Sequence, residues 1–276
     1  MKFDKPPFRL AILDMYQGYP NQGMRCIQDI VARYQDQVSY EIFDVRGKGE
    51  VPDTDFDIYI STGGPGDPLD FNGVWDVRYF DLIQRLWEHN QDPFLPRKFV
   101  FFICHSFQMV CHHFGVGEIA SRRSMSFGTF DCNLTKAGKK AAVFSGLDNP
   151  FCIADFRNYQ VIQPNEERLR ELGAKVVAIE KERLHVPLER AIMGIEFSKE
   201  FFAVQFHPEA DAAGMLTHFQ QEDKLKHIIN NYGKDKYATM INDLRHPDKI
   251  LKTNETILPN FLDNAVRVLE QALILV

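Results

Sequence analysis

A cysteine stands at the end of a short apolar run, at a point where a nucleophile could be placed. Residues 99–103, FVFFI, are all apolar, and Cys104 is followed at once by the polar pair His105 and Ser106. A run of this length that breaks at one residue is typical of a buried strand followed by a helix. Cys104 would then occupy the turn between them, which suits a nucleophilic thiol and equally suits an ordinary small residue.

A second apolar strand ends in a histidine and a carboxylate, within the sequence VQFHPEA at residues 204–210. Side chains two positions apart on an extended segment point the same way, so His207 and Glu209 could address one space. A carboxylate can orient an imidazole, and the charged imidazole can hold a cysteine as thiolate. Cys104, His207 and Glu209 therefore form a candidate catalytic triad, although each residue taken alone is equally explained by a structural role.

The third feature is the glycine- and proline-rich sequence STGGPGDP at residues 61–68, which follows another apolar strand. Gly63, Gly64 and Gly66 permit backbone conformations that other residues avoid. Such a turn can direct N–H groups toward an anion, as an oxyanion hole requires, and it can also be no more than a tight exit from a strand. No Gly-Lys-Ser/Thr follows, so the sequence does not fit a phosphate-binding P-loop.

The elements that must position these residues alternate between strand and helix. Apolar runs and helical spacing predict strands at 8–15, 38–45, 56–62 and 99–103, and helices at 21–34 and 74–90. This alternation predicts an α/β fold with a mostly parallel central sheet and helices on both faces. Sites in such sheets lie beyond the carboxyl ends of the strands, where both the glycine turn and Cys104 fall.

The second half of the chain is richer in strands and ends in helices. Candidate strands lie at 126–135, 151–162, 174–180, 190–197 and 201–207, with a hairpin-like connection between the last two. Residues 211–256 are polar with helical spacing, and a final helix is predicted to begin just after Pro259. Residues 1–276 are therefore expected to form a single domain with a helical insertion at about 211–256.

The composition excludes several classes of function. Hydrophobic residues make up 45% and charged residues 25% of the chain, as in globular proteins. The net charge of −6 gives no basic field for nucleic acid, and no run approaches the roughly 18 apolar residues of a membrane span. Five cysteines without framework spacing, and an N-terminus without signal-peptide features, favour the cytoplasm. The histidines and cysteines near residue 104 lack zinc-site spacing, so neither a metal nor another cofactor is expected.

Taken together, the three motifs resemble the class I, or triad-type, glutamine amidotransferases, and in particular GMP synthase-like amidotransferase domains. That family has a glycine–proline oxyanion loop, then a Gly-x-Cys-x-Gly-x-Gln elbow, then a late His-Pro-Glu. TGGPGDP, the elbow at Cys104 and VQFHPEA follow this order. The segments 128–151 and 157–161 are also similar to family segments, so the resemblance covers about residues 8–210 and the terminal helix. It implies a flavodoxin-like sheet.

The resemblance implies a role for each matched residue. Cys104 would attack the γ-carboxamide of glutamine to give a γ-glutamyl thioester and ammonia. His207 would activate the thiol and protonate the leaving amine, and Glu209 would orient His207. Backbone N–H groups of Gly64 and His105 would form the oxyanion hole. The remaining matched residues would contact the substrate, and they are Gly66, Gln108, Asn158 and Tyr159.

Two departures from the family pattern leave the chemistry open. Phe102 and Ser106 replace the two glycines of the elbow, which could reshape the glutamine pocket or change the substrate. The insertion, where relatives usually run quickly to the last helix, could be a lid, a dimer surface, a docking surface or a plain elaboration.

Three functions therefore stay open, and a homo-oligomer is compatible with each. The first is ammonia release from glutamine for a synthetase-type acceptor on another chain. The second is hydrolysis of γ-glutamyl peptides or conjugates by the same triad. The third is a non-catalytic binding or regulatory role.

Overall fold

A mixed nine-stranded sheet forms the centre of the computed structural model, which describes residues 6–19, 21–183 and 188–274. The strands are β1 Phe8–Asp14, β2 Val38–Asp44, β3 Ile58–Ser61, β4 Phe99–Ile103, β5 Glu118–Leu134, β6 Phe151–Ile162, β7 Lys175–Glu180, β8 Ile192–Glu196 and β9 Phe201–Val204. Their spatial order is β2-β1-β3-β4-β9-β8-β6-β5-β7. The first five strands in this order pair in parallel, and the remaining pairs are antiparallel.

Helices cover the sheet and form the C-terminal part of the chain. They are α1 Gln22–Val31, α2 Val45–Lys48, α3 Trp75–His89, α4 His105–Phe114, α5 Glu166–Leu172, α6 Ala212–Phe219, α7 Glu222–Tyr232, α8 Lys234–Arg245 and α9 Lys252–Ile274. A π-helical turn at Pro247–Leu251 precedes the last helix. Within the three described ranges, no helix combines the length and the apolar character that a membrane crossing would need.

Strand β4 shows how the parallel part of the sheet is buried on both faces. Phe101 and Ile103 belong to a hydrophobic layer that also contains residues of α1 and α9. Phe102 and Val100 point the other way, into a layer with residues of α3 and α4. A strand buried on both faces is typical of a parallel sheet that is covered by helices. The predicted α/β fold with helices on both faces is therefore confirmed, whereas the sheet is mixed rather than mostly parallel, because β5 to β8 pair in antiparallel fashion.

Strand β5 begins at Glu118, eight residues before the start predicted at 126. Its pairing with β6 shifts register between Ser121 and Ser126, so that residues 122–125 bulge out of the ladder. Arg122, in this bulge, donates to the Gln160 side chain at 2.6 Å and forms an ion pair with Glu180. The charged residues of the bulge interrupt the alternation of period two on which the prediction depends, so the sequence does not indicate the first part of β5.

The last helix, α9, begins at Lys252 rather than after Pro259, and the predicted start is therefore wrong. A proline inside a helix removes one hydrogen bond and disfavours continuation. Here burial of Ile257 and Leu258 holds the first turns against the sheet, and the Tyr34 hydroxyl donates to the Pro259 carbonyl at 3.1 Å. Tertiary packing therefore outweighs the local signal.

The predicted helical insertion corresponds to α6, α7 and α8, followed by the π-helical turn at 247–251. Its apolar residues pack against β6, where Cys152 and Ala154 are buried, and against the aromatic rings of Phe127 and Phe156. The insertion thus lies on the antiparallel part of the sheet and shares a hydrophobic cluster with it.

Candidate active site

Cys104 occupies a strained turn between β4 and α4. Its backbone has φ +50° and ψ −96°, a conformation that is uncommon for any residue other than glycine. Its N–H donates to the Val204 carbonyl of β9 at 2.8 Å, and its carbonyl accepts the first helical bond from Gln108. Such strain is typical of nucleophile elbows, and it places the thiol at the N-terminus of a helix.

His207 and Glu209 reach this turn from the end of β9, the strand adjacent to β4. The Nδ1 atom of His207 lies 2.8 Å from the Glu209 Oε1 atom. This contact leaves the other ring nitrogen available to the Cys104 thiol, which lies close enough to raise the pKa of His207. The structure therefore brings together the three residues that the sequence predicts as a triad.

Burial alone would lower the pKa of His207, but the Glu209 carboxylate and then the Cys104 thiol raise that pKa well above its ordinary value. The His207 side chain is 13% exposed and that of Glu209 is 1% exposed, so their attraction is little screened by water. The pair therefore favours an imidazolium at neutral pH, and an adjacent cation stabilises a thiolate.

The last helix contributes to this arrangement through Asn254. Its side-chain amide donates to the Glu209 carbonyl at 2.8 Å, and Asn254 itself is buried. The Glu209 Oε2 atom is also buried and has no hydrogen-bond partner among the described residues. Glu209 is therefore held by its backbone and by His207.

The loop after β3 approaches the triad closely because it lacks side chains. A Cβ atom added to Gly63 would lie 2.8 Å from the His207 Cε1 atom, and one added to Gly64 would lie 2.6 Å from the Met15 carbonyl oxygen. Any larger residue at either position would have to displace its neighbour. The two glycines thus place the loop backbone directly against His207.

Arg46 also positions the loop after β3. Its Nη1 atom donates to the Pro65 carbonyl at 2.7 Å and to the Met15 carbonyl at 3.2 Å. Burial lowers the pKa of the Arg46 guanidinium, and its Nε atom has no partner among the described residues. Because Pro65 follows Gly64, Arg46 fixes the direction of the backbone next to the predicted oxyanion hole.

His105 is the first residue of α4, so its N–H is not used by the helix and is free for an oxyanion. Its imidazole has a different character from that of His207. Burial, and then the Arg46 guanidinium, lower the pKa of His105 to about 3. The ring is therefore neutral at physiological pH, and the backbone N–H is the group of His105 that can stabilise negative charge.

Phe102 and Ser106, which replace the two glycines of the family elbow, both pack against or bond to neighbouring residues. Phe102 is fully buried, and its ring centroid lies 6.1 Å from that of Phe201 in the core. The Ser106 hydroxyl donates to the Thr62 carbonyl, at the end of β3, and lies 3.3 Å from the Ile103 carbonyl. Ser106 therefore connects the elbow to the loop after β3.

Three of the predicted substrate-contacting residues belong to one polar cluster. The Gln108 amide donates to the Tyr159 carbonyl at 3.1 Å. The Tyr159 hydroxyl donates to Asp67 at 3.0 Å, and Asp67 follows Gly66 in the loop. Asn158, by contrast, is exposed and lies opposite the bulge of β5. We refer to Gly66, Asp67, Gln108 and Tyr159 as the polar cluster.

Sequence reasoning missed two residues of the site, Gln205 and Tyr16. The Gln205 amide lies 3.8 Å from the Cys104 sulfur, and its oxygen accepts from Gln108 at 3.0 Å. Gln205 stands two positions before His207, so the period of the strand could have indicated it. Tyr16 follows β1, and burial and then Glu209 raise its pKa well above the ordinary value, so the phenol stays neutral.

A cavity of about 410 Å³ opens beside Cys104. Cys104, His207, Gly64 and Tyr16 are among its lining residues, and no residue of the polar cluster is. The outer walls come from α1, α6 and the β5 and β6 strands, and they include Asn21, Gln22, Arg25, Cys26, Phe127, Phe156, Asp211, Met215, His218 and Phe219. The first helix of the insertion, α6, therefore lines the same cavity as Cys104. Across the described ranges, no three His, Cys, Asp or Glu side chains are grouped as a metal site requires.

The model of the family described as glutamine amidotransferase class-I matches residues 12–222, so the chain belongs to the class I glutamine amidotransferase family. The resemblance drawn from the three motifs is thereby confirmed. No curated protein matches the sequence.

Solved structures share the fold at low sequence identity. A glutamine amidotransferase from Thermotoga maritima matches with a TM-score of 0.65 at 17% identity, over 94% of this chain and 98% of its own. A GMP synthase subunit-like protein from Thermoplasma acidophilum matches with 0.52 at 15% identity, over 74% and 85%. The glutaminase domain of Trypanosoma brucei CTPS, solved with bound acivicin, matches with 0.53 at 17% identity, over 73% and 86%.

Proposed function

We propose that the protein is a cysteine enzyme that hydrolyses the side-chain amide of glutamine. The Cys104 sulfur forms a bond to the amide carbon, the carbon–nitrogen bond breaks, and ammonia leaves with a proton from His207. Water then attacks the γ-glutamyl thioester and gives its proton to His207. The carbon–sulfur bond breaks, so that glutamate leaves and the thiolate is restored.

The observation that carries this proposal is the geometry of Cys104, His207 and Glu209. A thiol at the start of a helix, beside an imidazole with a raised pKa, is placed to react as a nucleophile. The 2.8 Å contact with Glu209 fixes the ring and leaves the nitrogen near sulfur to move the proton.

The neighbouring backbone supports the same chemistry. The Gly64 and His105 N–H groups would stabilise the oxyanion of the tetrahedral intermediate, and Arg46 keeps the Gly64 segment in place. The polar cluster would hold the amino-acid end of the glutamyl group, and Asn158 would contribute through its backbone. These assignments follow the family pattern that the chain shares.

For the released ammonia we propose a synthetase-type acceptor on a separate chain. The Thermoplasma neighbour is described as a GMP synthase subunit, which favours an acceptor on a separate chain. The five cysteines are all free thiols, which supports a reducing compartment such as the cytoplasm. A single domain over residues 1–276 and a homo-oligomer stay predictions.

The test is glutamine turnover, measured as glutamate release, for the wild type, Cys104→Ala and a matched control, Cys111→Ala. Cys111 lies two turns further along α4 and is fully buried, and burial raises its pKa well above the ordinary value. We expect Cys104→Ala to lose at least about 10³-fold in kcat and Cys111→Ala to retain turnover.

A chloroketone analogue of glutamine provides a second readout. It should alkylate the wild type and Cys111→Ala at Cys104, and leave Cys104→Ala unmodified. Turnover that survives in Cys104→Ala, or alkylation distributed evenly over the cysteines, would contradict the proposal and favour a non-catalytic role.

A further inference from the structure

We propose that the cavity beside Cys104 and His207 binds the amine part of the substrate, and that this amine carries a neutral apolar group such as an aromatic ring. The inference rests on the proposed function, because it assigns the leaving-group side of the same reaction. It extends the substrate class from glutamine to γ-glutamyl amides of apolar amines.

The position of the cavity identifies it with the leaving group. Its lining includes Cys104, His207 and Gly64, whereas Gln108 and Tyr159 of the polar cluster are not among its lining residues. His207 must deliver a proton to the departing nitrogen, so that nitrogen has to lie next to the imidazole. Whatever the nitrogen carries then extends into the cavity.

The size of the cavity exceeds what ammonia needs. Ammonia is comparable to water, which takes about 30 Å³ in the liquid. The cavity measures about 410 Å³, within the roughly 300–1,000 Å³ that small-molecule sites usually have. A site for glutamine alone would leave most of this volume without a ligand.

The walls of the cavity are suited to an aromatic ring. Phe127 and Phe156 meet edge to face with ring centroids 5.2 Å apart, and Phe219 lies 5.9 Å from Phe127. Phe156 is also 6.1 Å from the His207 ring, so the apolar surface reaches the catalytic imidazole. Met215 of α6 adds a flexible apolar side chain. Such walls favour apolar and aromatic ligands over hydrated ones.

The charged groups at the cavity disfavour a free carboxylate on the amine part of the substrate. Arg25 contributes a guanidinium to the lining, and this group already contacts Asp211 at 2.9 Å and Asp29 at 2.7 Å. Two carboxylates around one guanidinium leave no positive charge for a third. A neutral amine group is therefore favoured over the amino-acid end of a γ-glutamyl peptide.

The covalent step is unchanged and balanced. The Cys104 thiolate forms a bond to the γ-carbonyl carbon, the carbon–nitrogen bond breaks, and the His207 proton passes to the departing amine. Water hydrolyses the thioester and gives glutamate, so the overall reaction is γ-glutamyl amide plus water to glutamate plus amine. The reaction needs no further reactant.

The first experiment compares three substrates that share the γ-glutamyl group. They are L-glutamine, L-γ-glutamyl-benzylamide and L-γ-glutamyl-L-phenylalanine, and the measurement is kcat/KM from glutamate release. We expect the benzylamide to exceed glutamine by at least about 10-fold, because a buried ring adds more apolar contact than a methylene. We expect γ-glutamyl-phenylalanine to fall below the benzylamide, since the guanidinium that its carboxylate would meet is already paired.

The second experiment fills the cavity from α6. Met215→Trp should lower the preference for benzylamide over glutamine by at least about 10-fold, because the indole occupies the space of the ring. Thr217→Trp is the matched control, since Thr217 lies on the exposed face of the same helix, and its preference should equal that of the wild type.

The outcomes separate the two proposals. Turnover of glutamine without a preference for the benzylamide, or a preference that Met215→Trp leaves unchanged, overturns the inference and leaves the proposed function intact. If none of the three substrates is hydrolysed, and Cys104 is not alkylated by the chloroketone, the proposed function fails and this inference fails with it.

Discussion

The two sides of Cys104 differ in how their polar groups are satisfied. In the polar cluster each side-chain donor has a partner: Gln108 donates to Tyr159 and Gln205, and Tyr159 donates to Asp67. The cavity beside Cys104, by contrast, combines the rings of Phe127, Phe156 and Phe219 and the Met215 side chain with polar residues such as Asn21 and Arg25.

This difference indicates a division between a constant and a variable part of the substrate. A site built from buried hydrogen bonds rejects a ligand that leaves those bonds unmade, whereas an apolar pocket discriminates weakly among ligands that fit it. The polar cluster would therefore require a glutamyl group, and the cavity would accept a range of apolar amines. Variants of the triad should lower kcat for every substrate. Variants of the polar cluster should raise KM for every substrate that carries the glutamyl group, and variants of the cavity should change only the preference among amines.

The largest expected effect comes from Glu209→Gln, which changes the triad that both sides use. Without the carboxylate, the pKa of His207 falls and less imidazolium is available to hold the thiolate. We expect kcat to fall by about 10²–10⁴-fold for glutamine and the benzylamide alike. A loss confined to one substrate would show that the two sides do not share this catalytic base.

The same variant has a predictable effect on stability against pH. The pKa of His207 is raised in the folded protein. Its ion pair with Glu209 therefore contributes its full stabilisation of the fold at pH values below the unfolded-state pKa of about 6.5. That contribution is lost as the pH rises through the raised folded pKa. The wild type should therefore exceed Glu209→Gln in melting temperature most at about pH 6, and the difference should shrink in alkaline buffer.

A smaller loss of turnover, for both amides, is expected from Gly63→Ala. The added methyl would lie 2.8 Å from the His207 Cε1 atom and 3.5 Å from the Cys104 Cβ atom, so the imidazole must move. A displacement of about 1 Å costs on the order of 10²-fold in rate. Turnover of both amides should fall together while the melting temperature changes little, and an unchanged rate would contradict the close approach of this loop.

The smallest effects are expected from variants of the polar cluster, as changes in KM. Gln108→Ala removes the donors to Tyr159 and Gln205, and we expect KM for glutamine and the benzylamide to rise by about 10-fold together. Tyr159→Phe, which removes the single bond to the partly exposed Asp67, should raise KM by no more than about 3-fold. An effect of Gln108→Ala on the benzylamide alone would assign this residue to the amine side.

Much of the catalytic centre could be predicted because its signals are local. An apolar run that stops at Cys104 indicates the elbow, and the spacing of two between His207 and Glu209 places them on one side of a strand. Parallel strands β4 and β9 then bring the two segments to the same edge of the sheet. Each step depends on a pattern within a few residues.

The cavity could not be predicted, because its walls come from segments far apart in sequence. Tyr16, Phe127 and Met215 meet through the packing of the insertion on β5 and β6, which no local pattern indicates. For the same reason the predicted start of α9 is wrong, since burial of Ile257 outweighs the signal of Pro259. Long-range packing decides the features that local patterns leave open.

The start of α6 has a consequence for how such enzymes diverge. Asp211 caps this helix through the N–H groups of Ala213 and Gly214, pairs with Arg25, and stands two residues after Glu209. Glu209 and the helix that lines the cavity are therefore joined in one short segment, although they would contact different parts of the proposed substrate. Substitutions along α6 would then change the preferred amine while the chemistry proposed for Cys104 is kept.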